Sequence, residues 1–304
     1  MHSSTNGKRI LEALAYFDIF NHPLTKQELL SIEQAKIEET EERLQEYSDK
    51  KLCYNSSEYF SISSNIKDLV LQRIEKENRA KLYTKKLPFY ANIIKSFPFV
   101  KGIAISGSLS KGVMHKDGDI DYFIITSKNR LWICRTLLIL FKKIFLLNSR
   151  KYFCLNYFVD ENNLEIVDKN IFTAVEVSYL LPIYNVELFE HLKKENDWTS
   201  NFFPASTNQI PLNEIKGEAF FKSILETAIT GLFAEKLDLF FMKLTCKRWA
   251  SKFNYFNKEK FELTMRSYRG ISKHHPSDFQ TKVLSAFQER MEQLNLKNEG
   301  SIYS

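Results

Sequence analysis

VKGIAISGSLSKGVMHKDGDIDYFIIT, residues Val100 to Thr126, decides the fold. A β-rich run, Val100–Ser106, meets Gly107-Ser108, where a helix or tight turn should begin, and a second β-rich run opens with Asp119-Ile120-Asp121. Successive strand side chains point to opposite faces, so Asp119 and Asp121 should project together while Ile120, Tyr122 and Ile124 pack the other side. Adjacent carboxylates repel each other unless a cation sits between them. Hard divalent cations such as Mg2+ take oxygen ligands and commonly arrive with phosphates. Gly107 lets the backbone come close to a ligand, and N–H groups at a helix start, with the Ser108 hydroxyl, suit a phosphate. A plain surface turn at Asp117-Gly118-Asp119 would account for Asp117 and Gly118, but not for the second inward acid or the upstream Gly-Ser.

Gly107-Ser108, the spacer Leu109–Gly118 and Asp119-Ile120-Asp121 resemble, in order and residue type, the motif of the DNA polymerase beta-like nucleotidyltransferase superfamily. That resemblance implies an α+β fold: a small mixed sheet with helices. It implies transfer of a nucleoside monophosphate from an NTP, with ATP the expected donor, to an unidentified acceptor with release of pyrophosphate. Asp119 and Asp121 would hold two Mg2+ ions. Gly107 and Ser108 would fix the phosphates, and Lys111, one helical turn beyond Ser108, would neutralise developing charge. The resemblance further implies a third carboxylate on a later strand, often just after a hairpin. Glu165, between Leu164 and Ile166, is the first choice, Asp160 the second and Glu176 the third.

With 304 residues, the chain is long enough for more than one core. Its 44% hydrophobic and 26% charged content exclude a largely disordered chain. Met1–Lys8 is polar and reads as no secretory leader. The most apolar run, Leu131–Leu147, is interrupted by Arg135, Lys142 and Lys143 and is too short to span a bilayer. A cytoplasmic protein without membrane contact is expected. Cys53, Cys134, Cys154 and Cys246 lack zinc spacing and read as reduced, mostly buried thiols. His274-His275 precedes a proline and reads as a loop. A net charge of +6 fits phosphate handling without demanding it.

Residues 1–64 read as a winged-helix-like domain. Ile10, Leu14 and Phe17 repeat at helical spacing in Lys8–Phe20, and Thr25 with Glu28 forms a capping box, so a second helix should start at Lys26. A third helix covers Ile37–Lys50, and the runs at Leu52–Tyr54 and Tyr59–Ile62 make a hairpin. The third helix carries Glu38, Glu39, Glu41, Glu42 and Glu46 against Lys36 and Arg43, a surface that DNA phosphates would repel. Protein contacts, or cover for the active site, fit this domain better than a DNA-binding regulator.

Residues 65–96 read as a helical linker in two pieces near Pro88, and 97–185 as the nucleotidyltransferase core. Within the core, Ser127 should cap a helix running to Leu147, followed by strands at Lys151–Val159 and Leu164–Val167 around a turn. Helices are expected at Asn170–Leu181 and Glu187–Glu195, then a loop, Asp197–Gln209, anchored by Trp198, Phe202 and Phe203. Residues 186–304 read as a C-terminal helical domain. Its buried face would comprise Phe220, Ile224, Ile229, Leu232, Leu237 and Phe241, and its last helix would open at Ser277. The basic stretch Lys243–Lys273, interleaved with Tyr255, Phe256 and Tyr268, reads either as a contact for RNA or a triphosphate tail, or as a solvated helix face. The rival class to an enzyme is a degenerate nucleotide-binding sensor.

Overall fold

The computed structural model describes residues 3–202, 212–217 and 220–302. Helix α1 (Ser3–Asp18) leads into β1 (Leu24–Thr25), α2 (Lys26–Glu33), α3 (Ile37–Asp49), β2 (Tyr54–Ser56) and β3 (Tyr59–Ser61). The capping box forms as expected. Thr25 accepts from the Glu28 N–H at 3.2 Å, and Glu28 accepts from the Thr25 N–H at 2.7 Å. The three short strands pair antiparallel in the order β1-β3-β2.

Two further helices follow, α4 (Ile66–Thr84) and α5 (Leu87–Lys95). Arg73 of α4 ties the N-terminal unit down, donating to both Glu28 carboxylate oxygens at 2.7 and 2.9 Å. Burial alone would raise the Glu28 pKa, but the Arg73 hydrogen bonds and charge hold it down at about 2.

The central sheet is built on β4 (Val100–Ser106), which leads into the short helical turn α6 (Gly107–Ser110), and on β5 (Asp121–Thr126). Helix α7 (Leu131–Phe145) then crosses to β6 (Cys154–Asp160). It is followed by α8 (Ile171–Ser178), β7 (Leu181–Tyr184), α9 (Val186–Glu195) and a 3-10 turn at Asp197–Asn201. Strand β4 pairs antiparallel with β5, whereas β5 and β6 run parallel. Both faces are covered. Ile103, Ile105, Tyr122 and Ile124 pack with Trp132 and Leu138 of α7 and Leu87, Ala91 and Ile94 of α5. Ala104, Phe123 and Ile125 pack with Phe189 and Leu192 of α9. Each such fully buried large side chain contributes about 1.5–3 kcal/mol, so this sheet is the rigid platform from which the Asp119 to Asp121 segment emerges.

The C-terminal region contains α10 (Phe220–Ala228), α11 (Gly231–Lys252), α12 (Lys258–Met265), β8 (Ser267–Tyr268), β9 (Ile271–Lys273) and α13 (Phe279–Ile302). It is mostly helical, yet β9 pairs with β6 and completes the order β7-β4-β5-β6-β9-β8. No helix among the described residues is long and apolar enough to cross a membrane. All four cysteines are free, and Cys53, Cys134 and Cys154 are buried.

Several local expectations are corrected. No strand forms at 164–167. Instead, the edge strand β7 contains Pro182, a residue an edge tolerates because its missing N–H faces no partner. Ser127 does not cap α7. Asp238, from α11, accepts from the Trp132 and Ile133 N–H groups at 2.8 and 2.9 Å, a cap contributed across the fold. The apolar face expected along the C-terminal helices is split: Ile229, Leu237 and Phe241 pack on the core, while Ile224 and Leu232 are exposed. The period breaks where α10 ends and Gly231, at φ +60°, starts α11. Residues 203–209 of the expected loop, Phe203 among them, and the Phe220 side chain lie outside the described residues.

The N-terminal core does not close on itself. Leu14, Phe17, Leu29 and Leu44 share one cluster with Ile171 and Val175 of α8, Tyr179 just after it, and Val283 of α13. Arg290 of α13 also pairs with Asp18 of α1 at 2.8 Å. The end of α1 is thereby held against the mouth of the central sheet.

Candidate active site

Strand β4 delivers Gly107 opposite the start of β5, where Ser106 and Asp121 are register partners. Gly107 has φ +68°, and a Cβ there would lie 2.5 Å from the Asp121 Oδ2. Only glycine satisfies both the backbone angle and the close carboxylate. Asp121 opens β5 and Asp119 stands two residues earlier, just outside the strand. On the neighbouring strand, Cys154 is the register partner of Asp121, and the Asn156 side-chain amide donates to Asp121 Oδ1. Carboxylate oxygens of Asp119 and Asp121 and the Cys154 Sγ all lie within 4.8 Å of one another.

Burial, reinforced by the Asp119 charge, pushes the Asp121 carboxyl up to about 7, against a hydrogen bond from Cys154 and the more distant Lys111 charge. Burial and the same two carboxylates push the Cys154 thiol strongly upward, so it stays protonated. A soft, protonated sulfur does not suit Mg2+, whereas two hard carboxylates with uncompensated charge do. Asp119 and Asp121 therefore fit a divalent cation, and Cys154 fits as a neighbour rather than a ligand.

The structure places the three candidates for a third acid in different surroundings. Glu165 lies in an irregular segment on the surface, its side chain 60% exposed and paired with Lys169 at 2.8 Å. Its apolar neighbours Leu164 and Ile166 are buried, so the alternation is real, but it points the carboxylate into solvent. Asp160 sits at the far end of β6, where it accepts from the Asn129 and Asn162 N–H groups, both at 3.1 Å, and organises a turn. Glu176, the third choice, faces the same cavity as Asp121. It is engaged by Lys111 at 2.8 Å, while the Lys111 ammonium also donates to the Gly107 carbonyl at 3.1 Å.

Two cavities flank the acidic pair. The first, about 390 Å³, is lined by Gly107, Ser108, Lys111 and Asp121 and walled by Phe17, Phe20, Phe172 and Phe279. The N-terminal unit, α8 and α13 thus all contribute to it. The second, about 540 Å³, contains Asp119 and lies between α7 and α11. Asn156, His275 and Ser277 line both. Burial pulls His275 down to about 4 and His274 to about 3, so both rings are neutral near pH 7.

The second cavity holds Arg135, Lys142, Lys143, Arg150, Arg248 and Lys252. In the sequence Arg135, Lys142 and Lys143 stand out only as interruptions of an apolar run. The available signal was spacing: Arg135 and Lys142 stand two helical turns apart, as Arg248 and Lys252 stand one, so each pair shares a helix face. Within the basic stretch, Lys260, Arg266, Arg269 and Lys273 are engaged by Asp278, Asp168, Glu235 and Asp168, whereas Arg248 and Lys252 line the second cavity.

No curated protein and no solved structure matches the chain. Residues 90–226 match the family model of the nucleotidyltransferase domain. That span contains β4, the Gly107 turn, β5 and β6, the elements that assemble the acidic pair. The chain therefore carries a nucleotidyltransferase domain, consistent with the polymerase beta-like superfamily.

Proposed function

We propose that the protein transfers a nucleoside monophosphate from an NTP, with ATP as the expected donor, to an acceptor and releases pyrophosphate. The observation that carries this reading is the convergence of the Asp119 and Asp121 carboxylates beside the Gly107 turn. Mg2+ held by these carboxylates would supply Lewis-acid stabilisation of the charge on the transferred group. Gly107 leaves the backbone open to the donor phosphates, and Ser108 offers a hydroxyl. Lys111, oriented by Glu176, adds positive charge on the same side. The phenylalanine walls of the first cavity suit a stacked base. In the transfer, an acceptor oxygen bonds to the α-phosphorus, the bond to pyrophosphate breaks, and the acceptor proton passes to water.

The division into residues 1–64, 65–96, 97–185 and 186–304 belongs to the same proposal, with the first unit a winged-helix-like cover. Phe17, Phe20 and His22 on the cavity wall support that role, and it leaves the acidic α3 free for a protein partner. A cytoplasmic location is also proposed, and free cysteines fit it.

One observation favours a second reading, nucleotide binding without transfer. Beside Asp121 the adjacent strand offers the Cys154 thiol and the Asn156 amide rather than a third carboxylate. Thermal denaturation with each NTP and Mg2+, followed by mass spectrometry after incubation with cell extract, separates the two. Metal-dependent stabilisation with a nucleotidylated product supports the enzyme, stabilisation without product supports the sensor, and neither overturns both.

A further inference from the structure

The second cavity holds charges that the fold leaves unanswered. Arg135 is 8% exposed and Lys142 is 7% exposed, yet neither has a hydrogen-bond or ion-pair partner for its side chain among the described residues. The described contacts of the Arg135 guanidinium are aromatic faces, Trp249 at 4.7 Å, Trp132 at 5.8 Å and Phe158 at 6.0 Å. Burial without an anion pulls its pKa down to about 10. Lys143, Arg150, Arg248 and Lys252 stand exposed around the same space, also without ion pairs among the described residues. Six cations thus face one carboxylate, Asp119, in this lining. Arg135 and Lys142 are buried, but their charged ends open on this cavity, where an anion supplied from outside would pair them.

We propose that this cavity is the acceptor side of the active site and takes a phosphate-bearing acceptor, held through its phosphate by Arg135, Lys142, Arg248 and Lys252. The assignment rests on the nucleotidyltransferase reading above. The Gly107-Ser108 turn and Asp121 line the first cavity, while Asp119 lines the second, so the acidic pair forms the partition between them. An acceptor approaching from the second cavity meets a donor seated in the first from the side opposite its phosphate cradle, as an in-line displacement requires. Planar guanidinium groups and ammonium groups lining one concave space match phosphate oxygens.

The test uses the full chain and inorganic tripolyphosphate in EDTA, where the acidic pair repels phosphate and only the basic cavity attracts it. Calorimetry should show binding that weakens with salt. Arg135→Gln with Lys142→Gln should weaken it at least about tenfold, the scale of one lost charge-assisted contact. Arg150→Gln with Arg248→Gln, both exposed and safe for folding, should weaken it severalfold while Mg2+-ATP affinity stays unchanged. Ribose 5-phosphate and a 5′-phosphorylated tetranucleotide RNA then compete for the site, and whichever displaces tripolyphosphate identifies a small ester or a nucleic-acid end as the source. Wild-type failure to bind tripolyphosphate, or undiminished binding in both double variants, overturns the proposal. So does displacement by neither phosphate ester. A parallel loss of Mg2+-ATP affinity would make this cavity the donor site and overturn the acceptor assignment. If Mg2+-ATP fails to bind wild type while tripolyphosphate binding is kept and is lost in the variants, the anion site stands and the transferase reading falls.

Discussion

The two cavities on either side of the acidic pair treat charge in opposite ways. In the first, Lys111 meets Glu176, Lys273 meets Asp168 and Gln280, Asp121 meets Asn156, and Lys76 donates to the Phe20 carbonyl at 3.3 Å. In the second, six cations have no ion-pair partner among the described residues. Paired charge is architecture, because each member satisfies the other when water is removed. Unpaired charge that opens on a cavity adds to the fold only through contacts such as that of Arg135 with Trp249, and stays available to a ligand.

Breaking this contrast at the partition should have the largest effect. Asp119→Asn or Asp121→Asn keeps shape but removes a cation ligand, so transfer measured by mass spectrometry should fall about 10³-fold or more. Mg2+-dependent stabilisation by NTP should shrink in the same variants.

Stability should then change with opposite sign on the two sides. Asp168→Asn leaves Lys273, 8% exposed at its side chain, without its carboxylate, and should cost about 3 kcal/mol in urea unfolding. Arg135→Met removes an unpaired buried cation and should leave stability unchanged or raise it by about 1 kcal/mol, because lost contact with Trp249 offsets part of the gain. A loss of several kcal/mol in Arg135→Met would show that the guanidinium is structural.

The paired side also sets an acid limit. Glu28 is depressed from 4.5 to about 2, so its stabilisation is present above pH 4.5 and is lost as pH falls through about 2. Glu28→Gln should flatten that part of a pH series of urea midpoints. Smaller still, Ser108→Ala should weaken donor binding by about 1 kcal/mol, the net value of one hydrogen bond. Glu165→Gln should change neither stability nor transfer beyond about 0.5 kcal/mol, since it removes one exposed pair with Lys169. A large loss of transfer in Glu165→Gln would restore it as the third acid and break the geometric argument against it.

Local chemistry made much of this molecule legible before any fold was known. The Thr25 and Glu28 capping box depends on residues three apart, so it is written in the sequence and forms as written. The same holds for the Gly107 turn between two β-rich runs and for the nearness of Asp119 and Asp121, two residues apart where β5 begins, although Asp119 itself lies just outside the strand. Other features depend on elements that meet only when the chain has packed. Glu165 obeyed the right alternation in a segment that never joined the sheet, because β9 occupies the edge of β6. The cap of α7 comes from Asp238, and the basic cavity from one helix face bearing Arg135 and another bearing Arg248. Periodicity tells which side chains share a face of one element. Which faces then turn toward each other is settled by burial of apolar surface across the whole core, and that is why the acidic pair was readable and the anion site opposite it was not.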